Sequence, residues 1–398
     1  SMSAANLVRE KLAQATQVLQ ELDIDLWLLV ARESDVIGDP SLPLVVGTSV
    51  TWESAFLISR TGEHTAIVGT GDVENVRQTG AWENVVGYVE GVSGPLLEAL
   101  ERYEPRTIAL NYSKDDVLAD GLTYGLYLLL QDILAPTPYW SRIVSGEDVA
   151  RRVRGRKSPE EQRRLRQAVA TTLEIWDALR AWLRPGLTER EIAAFMHRQV
   201  RERGLETAWD PHYCPTVTAG PDSPVGHVGP TDITIQRGQL LAIDFGIRQE
   251  DYCSDMQRTF YFLAVGETAP PEPVQQAFDL VAGAIQAAAE ALRPGVMGWE
   301  VDQVAREIFA RAGAEEWKFG LGHQVGRAVH DGGCLLGPRW ERYGRRPYDR
   351  VEPDQVYTLE LGVSVPGDGR ISLEEEVVVH PDGCEFLWPP QRELILIG

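Results

Sequence analysis

The chain has 398 residues, 43% of them hydrophobic and 24% charged. That balance fits a globular protein of two or three domains and excludes a collagen, a coiled coil or a largely disordered chain. Thirty-eight basic residues against 59 acidic ones leave a net charge of −21, which argues against nucleic acid and anionic membrane surfaces as partners, since both are bound through Lys and Arg.

Residues 5–23 place Leu7, Leu12, Val18, Leu19 and Leu22 at helical spacing. Four β-like runs follow, at 26–30, 55–58, 64–68 and 107–110. Helical patterns lie between some of them, so a small α/β domain is expected up to about residue 150. No apolar run reaches the ~18 residues of a membrane span. The opening SMSAANLVREK lacks a signal-peptide core, and a cytoplasmic location is expected. Cys214, Cys253, Cys334 and Cys384 are too scattered for a zinc knuckle or a redox pair and read as free thiols.

A basic stretch (Arg151, Arg152, Arg154, Arg156, Lys157) leads into Ser158-Pro159-Glu160-Glu161. Ser158 can cap a helix, Pro159 suits its first position and Glu161 completes a capping box. The domain boundary is placed here, separating residues 1–150 from 151–398. The second part contains an internal echo. Leu183-Arg-Pro-Gly-Leu187 opens a helix ending at Gly204, and Leu292-Arg-Pro-Gly-Val296 opens one ending at Gly313, with a constant offset of 109. The echo predicts duplicated halves, each made of helices followed by a β-hairpin.

Each expected hairpin carries acids. Asp244 and Asp255 are centred between Gln249 and Glu250, so a two- or four-residue loop there sets them directly opposite each other. Glu360 and Glu374 are centred on Gly367 within the turn Pro366-Gly367-Asp368-Gly369, and a three- or five-residue loop pairs them too. Facing acids in a dry strand pair repel. Two divalent cations balance four carboxylates, and dinuclear sites hold their ions ~3.5–4 Å apart. His323, in the glycine-rich GLGHQVGRAVHDGG, lies just before the second hairpin, with His330 seven residues on; His227 lies just before the first. Imidazole among carboxylates suits manganese, iron, cobalt or zinc better than magnesium or calcium.

At these residues the sequence resembles the pita-bread metallopeptidases: Xaa-Pro dipeptidase (prolidase), aminopeptidase P and, more distantly, methionine aminopeptidase. The resemblance covers roughly residues 150–390 and rests on Asp244, Asp255, His323, Glu360 and Glu374 in that order. It implies an α+β fold: a C-terminal pita-bread domain with pseudo-twofold duplicated halves, preceded by a smaller creatinase-type α/β domain. It implies two divalent ions per chain, with manganese favoured and zinc or cobalt compatible. Asp244 resembles the ligand of one ion, His323 and Glu360 ligands of the other, and Asp255 and Glu374 the bridging carboxylates. His227 and His330 resemble the substrate-side histidines, and Glu360 the group that moves the water proton. The implied partners are proline-containing dipeptides or short peptides, and a second copy of the chain in a homodimer.

Three positions depart from the family pattern. Ser364 stands where a tyrosine is usual, Ser372 where an arginine is usual, and Phe319 where many members have histidine. Positions 370, 372 and 374 share one strand face, so Arg370 is the expected substitute for the missing arginine. The resulting expectation is a Xaa-Pro dipeptidase. Aminopeptidase P action on longer peptides, a metal-free creatinase-like hydrolase and a non-catalytic peptide-binding module are the alternatives. A dipeptidase also needs a cation for the substrate carboxylate; Arg370 and the cluster Arg342, Arg345 and Arg346 all qualify.

Overall fold

The computed structural model describes residues 3–398, which form two compact units meeting in sequence at residues 160 and 161. The first contains α1 (Ala4–Leu22), β1 (Leu26–Ala31), α2 (Leu42–Val45), β2 (Ser54–Ser59), β3 (His64–Gly69), α3 (Val73–Gln78), β4 (Asn84–Tyr88), α4 (Ser93–Tyr103), β5 (Ile108–Leu110), α5 (Tyr124–Leu134), β6 (Ile143–Ser145) and α6 (Glu147–Gly155). Its six strands form one mixed sheet in the order β4-β3-β2-β1-β5-β6.

Every residue of β1, LWLLVA, is buried. Trp27, Leu29 and Ala31 join one core with Leu12 and Leu19 of α1 and Val149 and Val153 of α6. Leu26, Leu28 and Val30 join another with Leu100 of α4 and Leu130 of α5. A strand covered on both faces is a continuous apolar run, which is why the central strands were readable from sequence. The edge strands β4 and β6 are half-exposed and mixed in composition, and neither was expected. The basic stretch before residue 157 is the helix α6, which contributes Val149, Ala150 and Val153 to this unit's core.

One window, Val117–Leu134, does reach 18 residues at a mean hydropathy of 1.2, contrary to the expectation that no run is so long and apolar. Its α-helical part, α5, has 11 residues, about 16 Å at 1.5 Å per residue against the ~30 Å of a bilayer core. Leu126, Leu130 and Leu134 are buried.

The second unit opens within the long helix α7 (Pro159–Trp182) and contains α8 (Glu189–Glu202), β7 (Glu206–Thr207), β8 (Thr216–Ala219), β9 (Leu240–Phe245), β10 (Ile247–Gln249), β11 (Tyr252–Cys253), β12 (Met256–Phe262), α9 (Glu272–Ala291), α10 (Gly298–Arg311), β13 (Val356–Val365), β14 (Gly369–His380), β15 (Gly383–Phe386) and β16 (Ile395–Ile397). The echo in the sequence is two helix pairs, each followed by a hairpin. Equivalent glycines adopt matching left-handed backbones: φ is 91° at Gly186 and 93° at Gly295, 67° at Gly204 and 69° at Gly313. One sheet joins the hairpins in the order β13-β14-β12-β9-β8, with β15 on β14 and β16 on β12. Phe278 and Val281 of α9 and Val301 and Phe309 of α10 share a core with Leu359, Leu361, Leu373 and Val377 of the sheet.

The second hairpin has the expected register, with Glu360 opposite Glu374 around a loop of three residues, 366–368. The first does not. Glu250 and Asp251 both take left-handed conformations, φ 49° and 69°, and close a two-residue turn with Gln249 opposite Tyr252. This moves the centre by one position, so Asp244 faces Gln257 rather than Asp255. Asp255 lies two residues before Gln257, so it stays on the Asp244 face as a diagonal neighbour.

On the opposite face of these strands, Arg258 and Glu375 form a buried ion pair at 2.8 Å, with side chains 5% and 3% exposed. Glu375 also accepts the Gln391 N–H at 3.0 Å. Removing one partner of such a pair strands a buried charge. Arg258→Met is therefore expected to lower unfolding stability by about 3–5 kcal/mol, and the double change Arg258→Met with Glu375→Leu to recover most of that loss; denaturant titration of both variants checks it.

Candidate metal centre

The shared sheet aligns side chains from five strands in a single row. Thr216 faces Asp244, Asp244 faces Gln257, Gln257 faces Glu374 and Glu374 faces Glu360. His323 enters from the far side of β13, where its segment pairs by main chain: Thr358 N–H donates to the His323 carbonyl at 2.8 Å, and Glu360 N–H to the Leu321 carbonyl at 2.7 Å. Gly322 makes this approach possible, because a Cβ there would run into the Thr358 carbonyl oxygen.

All five acid and imidazole residues expected at a metal site thus come together. Ligand atoms of Asp244, Asp255 and Glu374 lie within 4.8 Å of one another, as do those of His323, Glu360 and Glu374, and those of Asp255, His323 and His330. Glu374 belongs to both of the first two groups. His323 Nε2 is 3.2 Å from Asp255 Oδ2 and 3.7 Å from Glu374 Oε2. Its Nδ1 lies 2.9 Å from the Gln324 carbonyl, an acceptor only, so Nδ1 carries a proton and Nε2 is the nitrogen turned to the acids, the one that would ligate a cation.

The donor set fits divalent cations. Asp244 Oδ1, Asp255 Oδ1 and Glu374 Oε2 are buried with no hydrogen-bond partner. Burial, then the charge of Asp244, pushes Asp255 well above the usual carboxylate range. Burial and Glu374 do the same to Glu360, and burial, Asp255 and Asp244 to Glu374. Burial raises Asp244 to about 6. Burial pulls His323 down, but its bond to Glu374 and the charges of Glu360 and Glu374 outweigh it and leave the imidazole raised. Four buried acids with so little protein countercharge form a donor set that fits a metal site.

A fifth carboxylate, missed in the sequence, sits on the same strand face. Glu376 faces Thr358 and accepts the Asp255 N–H at 3.0 Å; burial raises it to about 8. Its position two residues after Glu374 was the available signal.

A cleft of about 370 Å³ opens over the row, lined by Asp244, Gln257, His323 and Glu360 and by His227, His330, Arg346 and Arg370. The His330 ring lies 4.4 Å from the His323 ring at 80°. The His323 charge, burial and Arg346 together hold His330 down to about 3, so its imidazole is neutral. His227 sits on an exposed loop that Glu189, buried in the first turn of α8, clasps at both ends. Glu189 Oε2 accepts from Ala219 N at 2.9 Å and Ser223 Oγ at 2.5 Å, and Oε1 from Thr231 N at 3.0 Å and Thr231 Oγ1 at 2.7 Å. In the other half, Asp302 of α10 accepts the Leu321 N–H at 3.0 Å and pairs with Arg306 at 2.8 Å, fixing the approach to His323.

Arg370 departs from expectation. It lines the cleft but forms no ion pair with Glu360 or Glu374. Its guanidinium turns to Ser364 Oγ at 3.4 Å and Glu315 at 3.8 Å and lies 5.8 Å over the Trp317 ring. Register explains this: Arg370 stands opposite Ser364, four residues from the Glu374 row. Of the other arginines, Arg346 lines the cleft, Arg342 stacks on Trp340 and Tyr343, and Arg345 pairs with Asp349 at 3.4 Å. Phe319, 46% exposed, packs edge-on against Trp317 at 5.3 Å and adds an apolar wall.

The sequence pattern of metallopeptidase family M24 matches residues 163–381, the span that carries all of these groups. The chain is a member of metallopeptidase family M24. It is 30% identical over 250 residues to a Xaa-Pro dipeptidase of Pyrococcus horikoshii, covering 63% of this chain and 67% of that protein. Its fold matches a Bacillus anthracis Xaa-Pro dipeptidase with a TM-score of 0.74 at 22% identity, over 98% of this chain and 100% of that one. It matches an X-Pro aminopeptidase of Thermotoga maritima with a TM-score of 0.72 at 25% identity, over 97% and 99%. This M24 member therefore has the pita-bread fold and is an enzyme, a peptidase.

Two outcomes follow for the M24 peptidase. The raised carboxyls bind more protons folded than unfolded, so the stability of metal-free protein falls as pH rises from the ordinary carboxylate range through about 6 and above. Calorimetry in chelator is expected to show a lower melting temperature at about pH 8 than at about pH 5, and added Mn²⁺ to flatten that slope. Glu189→Ala leaves four donors without their acceptor; limited proteolysis with mass spectrometry is expected to find new cuts within 220–230, with Mn²⁺ binding unchanged.

Proposed function

We propose that the chain is a dinuclear metal-dependent exopeptidase that hydrolyses the bond before proline, acting chiefly as a Xaa-Pro dipeptidase. The observation that carries this reading is the sharing of Glu374 between two ligand groups, Asp244–Asp255–Glu374 and His323–Glu360–Glu374. Such sharing is the arrangement that seats two ions side by side. Asp244 would hold one ion, His323 and Glu360 the other, with Asp255 and Glu374 bridging. The ions supply a water acidic enough to lose its proton near neutral pH and positive charge for a developing oxyanion. Manganese leads among the candidates, with zinc and cobalt compatible with the same donors.

The protein groups divide the remaining work. Glu360 lies in the cleft wall among the acids that would hold the ions; as a carboxylate it would take the water proton and pass it to the leaving prolyl nitrogen. His330, a neutral imidazole beside the acids, donates to the carbonyl oxygen as it gains charge. His227, on the clasped loop, closes the substrate side. Arg346 and Arg370 offer the cationic groups in the cleft for a dipeptide's carboxylate. Trp317, Phe319 and Leu335 give an apolar surface for the proline ring.

The engagement of Arg370 with Glu315 favours a second reading. With one of the two cleft arginines already paired, the substrate carboxylate is less tightly specified, and longer Xaa-Pro peptides fit an aminopeptidase P activity. The metal-free creatinase-like alternative has the intact ligand set against it. The discriminating experiment is hydrolysis of Leu-Pro, Leu-Pro-Gly and Leu-Gly by chelator-stripped protein resupplied with Mn²⁺, Zn²⁺ or Co²⁺. The dipeptidase reading expects metal-dependent turnover with Leu-Pro ahead by at least about tenfold, a difference of about 1.4 kcal/mol in the barrier. Faster cleavage of Leu-Pro-Gly selects the second reading, and equal turnover of Leu-Gly rejects proline specificity.

A further inference from the structure

Gln257 stands at the middle of the acidic row, between Asp244 on one neighbouring strand and Glu374 on the other. A single amide nitrogen reaches carboxylates on two strands: Nε2 lies 3.1 Å from Glu360 Oε2 and 3.4 Å from Glu374 Oε1. An amide nitrogen carries two hydrogens, so it can donate to both at once. We propose that Gln257 is a positioning residue of the metal centre, one that engages a single oxygen each of Glu360 and Glu374 and thereby turns the others toward the cations. The inference rests on the metal-centre reading above and adds to it a residue outside the ligand set.

The oxygens sort themselves accordingly. Glu374 Oε1 faces the amide, while Oε2 has no hydrogen-bond partner and lies 3.7 Å from His323 Nε2. A carboxylate free to rotate would offer either oxygen. One held at Oε1 presents Oε2 every time, and the entropy of that choice is lost on folding rather than on metal binding. The chemistry of the side chain matters as much as its reach. A lysine or arginine in this place would neutralise the acids and compete with divalent ions, and a glutamate would add another buried negative charge. An amide donates to carboxylates without carrying charge, so it lessens their repulsion and leaves the need for cations intact. The sheet register keeps it there, since directly opposed residues have Cβ atoms ~4.5–5.5 Å apart.

The test is titration calorimetry of Mn²⁺ into chelator-stripped wild type, Gln257→Met and Gln257→Ala, with melting of each metal-free protein recorded alongside. Gln257→Met keeps the volume and removes the donor; Gln257→Ala removes both. Both variants are expected to bind Mn²⁺ about 10–100-fold more weakly, with the metal-free Gln257→Met protein still folded and melting in a single cooperative transition. Wild-type affinity in Gln257→Met would overturn the inference and reduce Gln257 to a space-filling role. Absence of Mn²⁺ binding by the wild type would instead overturn the metal centre itself, and the inference with it.

Discussion

Mutual repulsion among buried carboxylates is the constraint around which the second unit is arranged. Asp244, Asp255, Glu360 and Glu374 lie where burial raises every one of them, and neighbouring acids add to the rise in Asp255, Glu360 and Glu374. Charges a few ångströms apart in such surroundings interact far more strongly than in water. A fold selected only for stability would fill these positions with apolar side chains, as it does on the opposite face, where Leu359, Leu361 and Leu373 pack against the helices. Acids held instead against a cleft, with unpartnered oxygens directed at one another, are an arrangement whose compensation comes from outside the chain.

The rest of the unit supports that arrangement through main-chain geometry more than through charge. Two hairpins from two echoing halves join as neighbours in one sheet, which places acids distant in sequence in adjacent registers. The segment carrying His323 adds itself to the edge of β13. Glu189 in one half and Asp302 with Arg306 in the other tie down the loops that deliver His227 and His323. The buried ion pair Arg258–Glu375 lies on the far face, so this arginine is kept away from the acidic row. The departures at Ser372 and Phe319 fall in the cleft lining rather than among the ligands, with Phe319 adding an apolar wall, and Ser364 stands beside them opposite Arg370.

Much of this was legible in the residues. The buried strands of the first unit are unbroken apolar runs, the echo shows in paired Leu-Arg-Pro-Gly entries, and the Pro-Gly-Asp-Gly turn sets the Glu360–Glu374 register because its loop length admits few alternatives. The Asp244 hairpin was misjudged by one position because its turn uses Glu250 and Asp251 in left-handed conformations, which their residue types do not announce. Parity rescued the conclusion: a shift that keeps both acids on one face turns opposed neighbours into diagonal ones without separating them. Arg370 was not rescued in this way, because sharing a face does not bring a side chain to a residue four positions along the strand.

Residue types and spacings by themselves determined the α/β start of the chain, the two-part organisation and the echoing halves with their acidic hairpins, since periodicity, turn chemistry and hairpin arithmetic are local properties; the pita-bread fold class came from the family resemblance those residues carry. Only the tertiary structure decided that Gln257, not Asp255, faces Asp244, that Arg370 turns to Glu315, that Arg346 joins the cleft while Arg342 and Arg345 do not, and that Glu189 holds the His227 loop. Each of these depends on which strands become neighbours and in what register. That choice is made by the packing of elements far apart in the chain, and no local pattern encodes it.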